Sequence, residues 1–461
     1  MRKTPVSGVI AVAQGRWDRR RRQHESDAWD AEERTSGRKV RRLARGPGPA
    51  SPKALDARER HACALRGLGR FAEAEAEFGA VAGARAAELG AEHADTLRVA
   101  LWHGITLQTL GRLPEAEPVL RGVWEARCRQ LGAGHIDAIN AGFQHAGVLW
   151  RLDRLAEAET SFRILADLAA TARGTDSGEV RWAHIARVGV LLRLGRLAEA
   201  ESLSRELLDS MEPRPYVDQR HLLAARRAHA DMLRECGKTT EAEALYRDVV
   251  QRMSVQQGPR DRLTLLARTG HALVLCDLGR SAEAEAEISE VLAGFAAAER
   301  SADAAHVTSA RRVRGVALRE LGRLAEAETE FRATVAGVAG SQGDGNGDGD
   351  GNIDALYGRA WLGTVLTDLG RLDEASAELP PAVAGLTRLL DADHPRVLRH
   401  RGHLAALLRD RGEGERATVE CEAALRSAAG ILGEAHPITR ELAATRATLG
   451  PPPPADHPPL T

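Results

Sequence analysis

An eight-residue stretch, Leu194-Gly195-Arg196-Leu197-Ala198-Glu199-Ala200-Glu201, returns along the chain with small changes and constrains its fold more than any other feature. The glycine slot falls at Gly69, Gly111, Asp153, Gly195, Gly237, Gly279, Gly322 and Gly370, with a degenerate ninth copy at Gly412. Successive separations are 42, 42, 42, 42, 42, 43, 48 and 42 residues. A fixed period of this length belongs to stacked repeats, in which each copy buries its apolar face only against its neighbours. The 461 residues therefore need not divide into several globular domains.

One unit, residues 264–297, shows what is copied. Leu265, Leu266, His271, Ala272, Leu275 and Leu278 recur at helical spacing and form one apolar stripe. Gly279 ends that helix, because the residue after the last turn adopts a left-handed conformation that glycine takes without strain. Asp153 is tolerable in the same slot, since Asp visits that region more readily than most residues. Ser281 is expected to open a second helix, with Glu283 and Glu285 at its positive dipole end.

Five residues after the glycine slot the column reads Ala74, Ala116, Ala158, Ala200, Ala242, Ala284, Ala327, Ala375 and Ala417 without exception. Four residues later stand mostly large anchors (Phe78, Leu120, Phe162, Tyr246, Phe331), and seven before the glycine stand small residues such as Ala62, Gly104 and Gly363. This small–large code marks two helices in close approach. The fold it predicts is all-α, a right-handed superhelical solenoid of about nine helix-turn-helix repeats.

These columns and the Gly-Arg-x-x-Glu-Ala turn resemble the tetratricopeptide repeat. The 42-residue period is similar to its kinesin-light-chain-like type, as are the linkers Leu89 to Leu97, Leu131 to His135, Asp393-His394-Pro395 and Leu432 to Thr439. Repeats three to six depart from the His-Pro linker. The resemblance spans residues 54–449, with a six-residue insertion in the glycine-rich loop 340–353 and a lone capping helix from Pro437. Residues 1–53 read as a basic, largely disordered arm carrying Arg19 to Arg22 and Arg38 to Arg42; residues 450–461 read as a proline-rich disordered tail. The resemblance implies a non-enzymatic scaffold or adaptor that takes a protein segment in its concave groove. Bacterial arrays of this kind often sit beside regulatory domains, which would make this chain the adaptor half.

Composition narrows the alternatives. Lys+Arg 64 against Asp+Glu 65 gives a net charge of −1, so no global field draws the chain to nucleic acid or membrane. Five scattered cysteines form no CxxC or Cys/His pair and read as reduced thiols of a cytoplasmic protein. No metal or cofactor is expected. Asp344, Asn346, Asp348 and Gly349 open like a calcium loop, yet position twelve is Ala355 where a bidentate Glu belongs, so calcium at 344–354 is not expected. His61, His103, His145, His229 and His271 share a column, read as hydrogen-bonded core histidines too far apart to share a metal. Gly237-Lys238-Thr239-Thr240 lacks the remainder of a phosphate loop.

The variable columns are where a partner would be read. Three residues before the glycine stand Arg66, Gln108, Trp150, Leu192, Arg234, Cys276, Arg319, Thr367 and Arg409. In tetratricopeptide arrays this side faces the groove. Arg193 at the next position, Arg98 and the indoles Trp102 and Trp361 complete the candidate set. Arginine forks suit carboxylates and tryptophan supplies anchoring area, which points to an acidic or C-terminal-carboxylate peptide. Acids fill many adjacent positions (Glu235, Asp277, Glu320, Asp368, Asp410), so the alternative is a solvated face of arginine–acid pairs. A second functional reading makes the arginine-rich arm a nucleic-acid contact.

Overall fold

The structure, a computed structural model, describes residues 27–45, 51–211, 219–297, 304–341 and 353–449. All regular structure among them is helical. After α1 (residues 27–45), repeat 1 pairs α2 (Pro52–Gly67) with α3 (Phe71–Leu89), and pairing continues to repeat 9, α18 (Pro395–Asp410) with α19 (Gly414–Leu432). A last helix, α20 (Pro437–Thr448), stands where the lone capping helix is expected.

The turn motif works as its residues dictate. Gly279 sits at φ +73°, its N–H bonds to the Cys276 carbonyl, and the Arg280 N–H reaches back to Leu275. Asp153 takes the same conformation at φ +59°. The acids of the motif do something other than expected. The second helix of repeat 6, α13 (Ser281–Ala296), is preceded by Arg280 at the N-cap without a side-chain cap, and Ser281 bonds instead to Glu320. Glu283 is held by both prongs of Arg280, at 2.7 and 2.6 Å. The same fork recurs at Arg70–Glu73, Arg112–Glu115 and Arg196–Glu199, which gives the Gly-Arg-x-x-Glu spacing a local reason.

Every alanine of the invariant column, Ala74 to Ala417, is 0% exposed. The small column packs under the large one: a Cβ added at Gly104 would stand 2.6 Å from Leu120, and one at Gly363 2.8 Å from the Leu379 backbone nitrogen. A larger side chain at these contacts overpacks the pair.

The N-terminal arm differs from the disordered segment expected. Residues 27–45 form a helix whose Ser36 is buried and bonds the His61 ring at 3.3 Å, while Trp29 covers Gly67 and Glu33 pairs with Arg70 at 3.4 Å. A few apolar contacts on one face suffice because α2 supplies a preformed surface. The expected disorder of residues 1–26 and 450–461, and most of the glycine-rich loop with its calcium-like acids, falls outside the described residues; Ser341 still belongs to α15 (Leu324–Ser341) and Asp354 to α16 (Ile353–Asp368).

The superhelix closes on itself every five repeats. His394 Nε2 meets the Arg193 carbonyl at 3.1 Å, and His436 Nε2 meets the Glu235 carbonyl at 3.1 Å, each across 201 residues. Asp153 Oδ2 accepts the Ile353 N–H at 2.9 Å across 200 residues. The turns of repeats 3, 4 and 5 thus seat the N-termini of α16, α18 and α20, which open repeats 8, 9 and the cap.

Candidate functional site

Closure creates an enclosed space. A cavity of ≈ 220 Å³ is lined from repeats 5 to 9 and α20 by Arg234, Glu235, Asp277, Arg312, Arg319, Tyr357, Trp361, Arg396, Arg399, His400, His436 and Glu441, among others. This lining identifies the inner face. Tyr357 and Arg399 lie 13 residues before their turn glycines, Arg312 lies 10 before, Leu273 and Val316 lie 6 before, and Arg234, Cys276 and Arg319 lie 3 before. These offsets are one helical turn apart and form one stripe on each first helix.

The candidate residues separate into three groups. Arg234, Arg319 and Trp361 are brought together in the cavity wall. Arg66, Arg98 and Trp102 lie at the N-terminal end, where the Arg66 guanidinium stacks 4.4 Å above the Trp102 ring. Trp150 packs edge-on to Phe162 and Arg193 pairs with Asp153 at 2.5 Å in the middle, and Arg409 bonds Thr448 of α20 at the far end.

Most of these arginines already hold acids. Arg98 binds Glu59 and Asp95, both at 2.9 Å; Arg234 binds Glu235 and, at 2.9 Å, Asp277; Arg319 binds Asp368 at 2.5 Å; Arg409 binds Asp410 at 2.7 Å. The Arg234 and Arg319 links join successive repeats as rungs. Arg66 has no carboxylate partner among the described residues, and burial lowers its pKa.

Electrostatics follow enclosure. Burial works against the Glu235 and Glu441 carboxylates, yet Arg234 beside the first, and His403 and Arg399 beside the second, hold both down to about 2. Burial drives His400, His403 and His436 below the usual imidazole range, so they stay neutral. The column histidines bond locally, His103 to Glu75 at 3.0 Å, His145 to Glu117 at 3.2 Å and His271 to Glu287 at 2.7 Å. Among the described residues no cluster of His, Cys, Asp or Glu is arranged to hold a metal, and no helix is long and apolar enough to cross a membrane.

Tetratricopeptide-repeat profiles match residues 362–396 and 397–438 in one form, and 97–121, 181–206 and 308–333 in another. The chain carries tetratricopeptide repeats. It is similar to the TPR-like repeats attributed to a kinesin light chain of Podosopora anserina, at 17% identity and TM-score 0.40 over 44% of this chain and 96% of that one. It is also similar to a Rap protein solved with Competence and Sporulation Factor, at 14% identity and TM-score 0.49 over 77% and 99%. A tetratricopeptide repeat protein from Parabacteroides merdae matches at 16% identity and TM-score 0.42 over 66% and 98%. No curated protein matches the chain.

For this tetratricopeptide array the sequence reading overlooked two inner-face groups. Arg312, Arg396 and Tyr357 line the cavity, and Trp182, 48% exposed, occupies in repeat 4 the offset that Tyr357 occupies in repeat 8. Following the columns 16, 13 and 10 residues before the glycine, as well as the column at 3, finds them.

Proposed function

We propose that the protein is a non-enzymatic cytoplasmic adaptor that holds an acidic segment, internal or C-terminal, of a partner protein along the inner face of repeats 1–4. The observation that carries this reading is Trp182, an indole left 48% exposed on α8 (Gly178–Arg193) at an inner-face offset. Phe143 and Trp150, partly buried against Phe162, occupy inner-face offsets of the preceding repeat and extend the apolar stripe. Cations stand farther along the same face at Arg66, stacked on Trp102 at the N-terminal end, and at Arg151, which bonds only the Gln108 carbonyl, at 2.7 Å, and has no carboxylate partner among the described residues. An exposed aromatic anchor on one face with unpaired guanidinia favours a peptide bearing acids between apolar residues.

A displayed peptide library selected on the full chain tests this. Selected binders are expected to be rich in Asp and Glu and to lose ~30-fold in affinity on Trp182→Ala, the ~2 kcal/mol of a hot-spot ring. Binders without acidic preference, or indifferent to both Trp182→Ala and an Arg66→Glu/Arg151→Glu pair, would end the reading. The nucleic-acid alternative draws on α1, where Arg38, Lys39, Arg41, Arg42 and Arg45 are all exposed. Its signature is DNA or RNA affinity that falls steeply with salt and vanishes when residues 1–50 are removed.

A further inference from the structure

We propose that the cavity enclosed by repeats 5–9 and α20 binds a small organic anion, whose single oxyanionic head is taken by Arg312, Arg396 and Tyr357. This site is separate from the face of repeats 1–4 and does not depend on it.

The argument begins with unmatched donors. Glu235 and Asp277 are held by Arg234, Glu441 by His403 at 3.0 Å and Arg399 at 3.3 Å, and Arg319 turns outward to Asp368. Arg312, on α14 (Ala304–Glu320), makes no hydrogen bond and no ion pair within 4 Å among the described residues, although it lines the cavity. Burial and the neighbouring Arg396 push its pKa down to about 10, the direction expected of a cation without a counter-ion. Arg396 reaches only Glu235, at 3.4 Å, an acid that Arg234 already holds more closely. Its guanidinium lies 5.1 Å over the Tyr357 ring. Tyr357 is 4% exposed and its hydroxyl, buried at the wall, has no partner. The Tyr357 hydroxyl is a buried donor without an acceptor, and beside it Arg312, half-buried and without an ion pair, offers a guanidinium that no acid of the described residues takes up.

Charge and size set the ligand class. Arg319 is matched by Asp368 outside the lining, and Arg234 and Arg399 by Glu235, Asp277 and Glu441, so the cations left to a ligand are Arg312 and the weakly held Arg396, with His400 and His436 neutral. Leu273, Val316, Trp361 and Ile438 provide apolar wall for a small body. A volume of ≈ 220 Å³ lies below the ~300–1,000 Å³ of pockets for drug-sized ligands. It admits a compact anion and excludes a folded element.

Calorimetry on the full chain with benzoate, phenyl phosphate and inorganic phosphate tests the proposal. One organic probe is expected to bind saturably at a single site, and which of the two binds identifies the head as carboxylate or phosphate. Arg312→Met is expected to abolish binding while raising the thermal midpoint of the free protein, since it removes an unpaired enclosed charge. Tyr357→Phe should weaken binding ~10-fold without altering that midpoint and decides the matter if the arginine variant fails to fold. Trp182→Ala should leave anion binding unchanged, so failure of the peptide reading and of this one are distinguishable. No heat from either organic probe at ~10 mM, binding indifferent to both cavity variants, or inorganic phosphate binding as tightly as the organic probes would each overturn it.

Discussion

Replacing Gly237 and Gly279 by alanine separates the cost of the turn from the cost of superhelical closure. Both glycines are left-handed, at φ +75° and +73°, so each substitution carries the same backbone strain, ~1–2 kcal/mol. At Gly279 nothing lies within 4 Å of the added Cβ, and the strain is the whole effect. At Gly237 the Cβ would stand 2.7 Å from His436 Cδ2 and 2.9 Å from Pro437 Cδ, one superhelical turn away. The linker must then either be compressed, adding the ~1–3 kcal/mol of an overpacked contact, or lift off. Lift-off costs the hydrogen bond to the Glu235 carbonyl, ~1 kcal/mol, and exposes Ile438, now 4% exposed. Gly237→Ala is therefore expected to unfold at lower denaturant than Gly279→Ala by the equivalent of ~1–3 kcal/mol, or to show a larger radius of gyration in small-angle scattering. Circular dichroism follows the unfolding in both variants. Equal midpoints together with equal radii would refute the closure.

Three further outcomes follow from the packing and the titrating groups. Ala200→Leu should lower the unfolding free energy by ~1–3 kcal/mol, because Ala200 is fully buried between two helices; an unchanged thermal midpoint would remove it from that contact. Gly67→Val should cost a similar ~1–3 kcal/mol through its overlap with Trp29, and should become neutral once residues 1–50 are deleted. Acid should loosen the closure. In His394 and His436 the Nδ1 accepts a backbone N–H, so Nε2 carries the proton donated across the turn and the ring must remain neutral. Burial lowers both pKa values, so their stability contribution is complete above ~6.5 and is lost as pH falls from there through the folded values. The radius of gyration should rise between pH 7.5 and 5.5, and His394→Gln/His436→Gln should show a shallower change; identical slopes would refute the link.

Much of the fold is legible because packing in a repeat array is local. The invariant alanine, the small column seven residues before the turn and the large anchors nine after it each describe contacts inside one hairpin, and sequence spacing alone places them. Asp153 shows where this stops. By sequence it is a tolerated substitute for glycine, yet its carboxylate pairs with Arg193 and receives the Ile353 N–H from five repeats later. That contact depends on superhelical twist, a sum of small rotations that no single repeat encodes. The arginines follow the same rule. The column at three residues before the turn contributes Arg234, Cys276 and Arg319 to the cavity lining, but the acids that satisfy Arg234 and Arg319 come from the next repeat, at Asp277 and Asp368. Arg312, one column away, has none. Which arginine remains open is decided between repeats.

The histidine linkers carry this to its sharpest form, since one motif performs two tasks according to its position. His93, His135, His394 and His436 all accept a backbone N–H at Nδ1 and so cap the helix that follows. Only His394 and His436 also reach a carbonyl of an earlier repeat, 201 residues back. For His93 and His135 that register would fall before the first residue, and both rings remain exposed. The motif is thus a helix cap in the first superhelical turn and a cap plus latch in the second. The His436 latch lines the cavity that holds Arg312, so its enclosure requires the array to exceed five repeats. The inner face of repeats 3 and 4 bears apolar residues and the exposed Trp182, whereas that of repeats 5–9 bears the charges of an enclosed wall. A periodic scaffold acquires two different interiors because its length exceeds its own pitch.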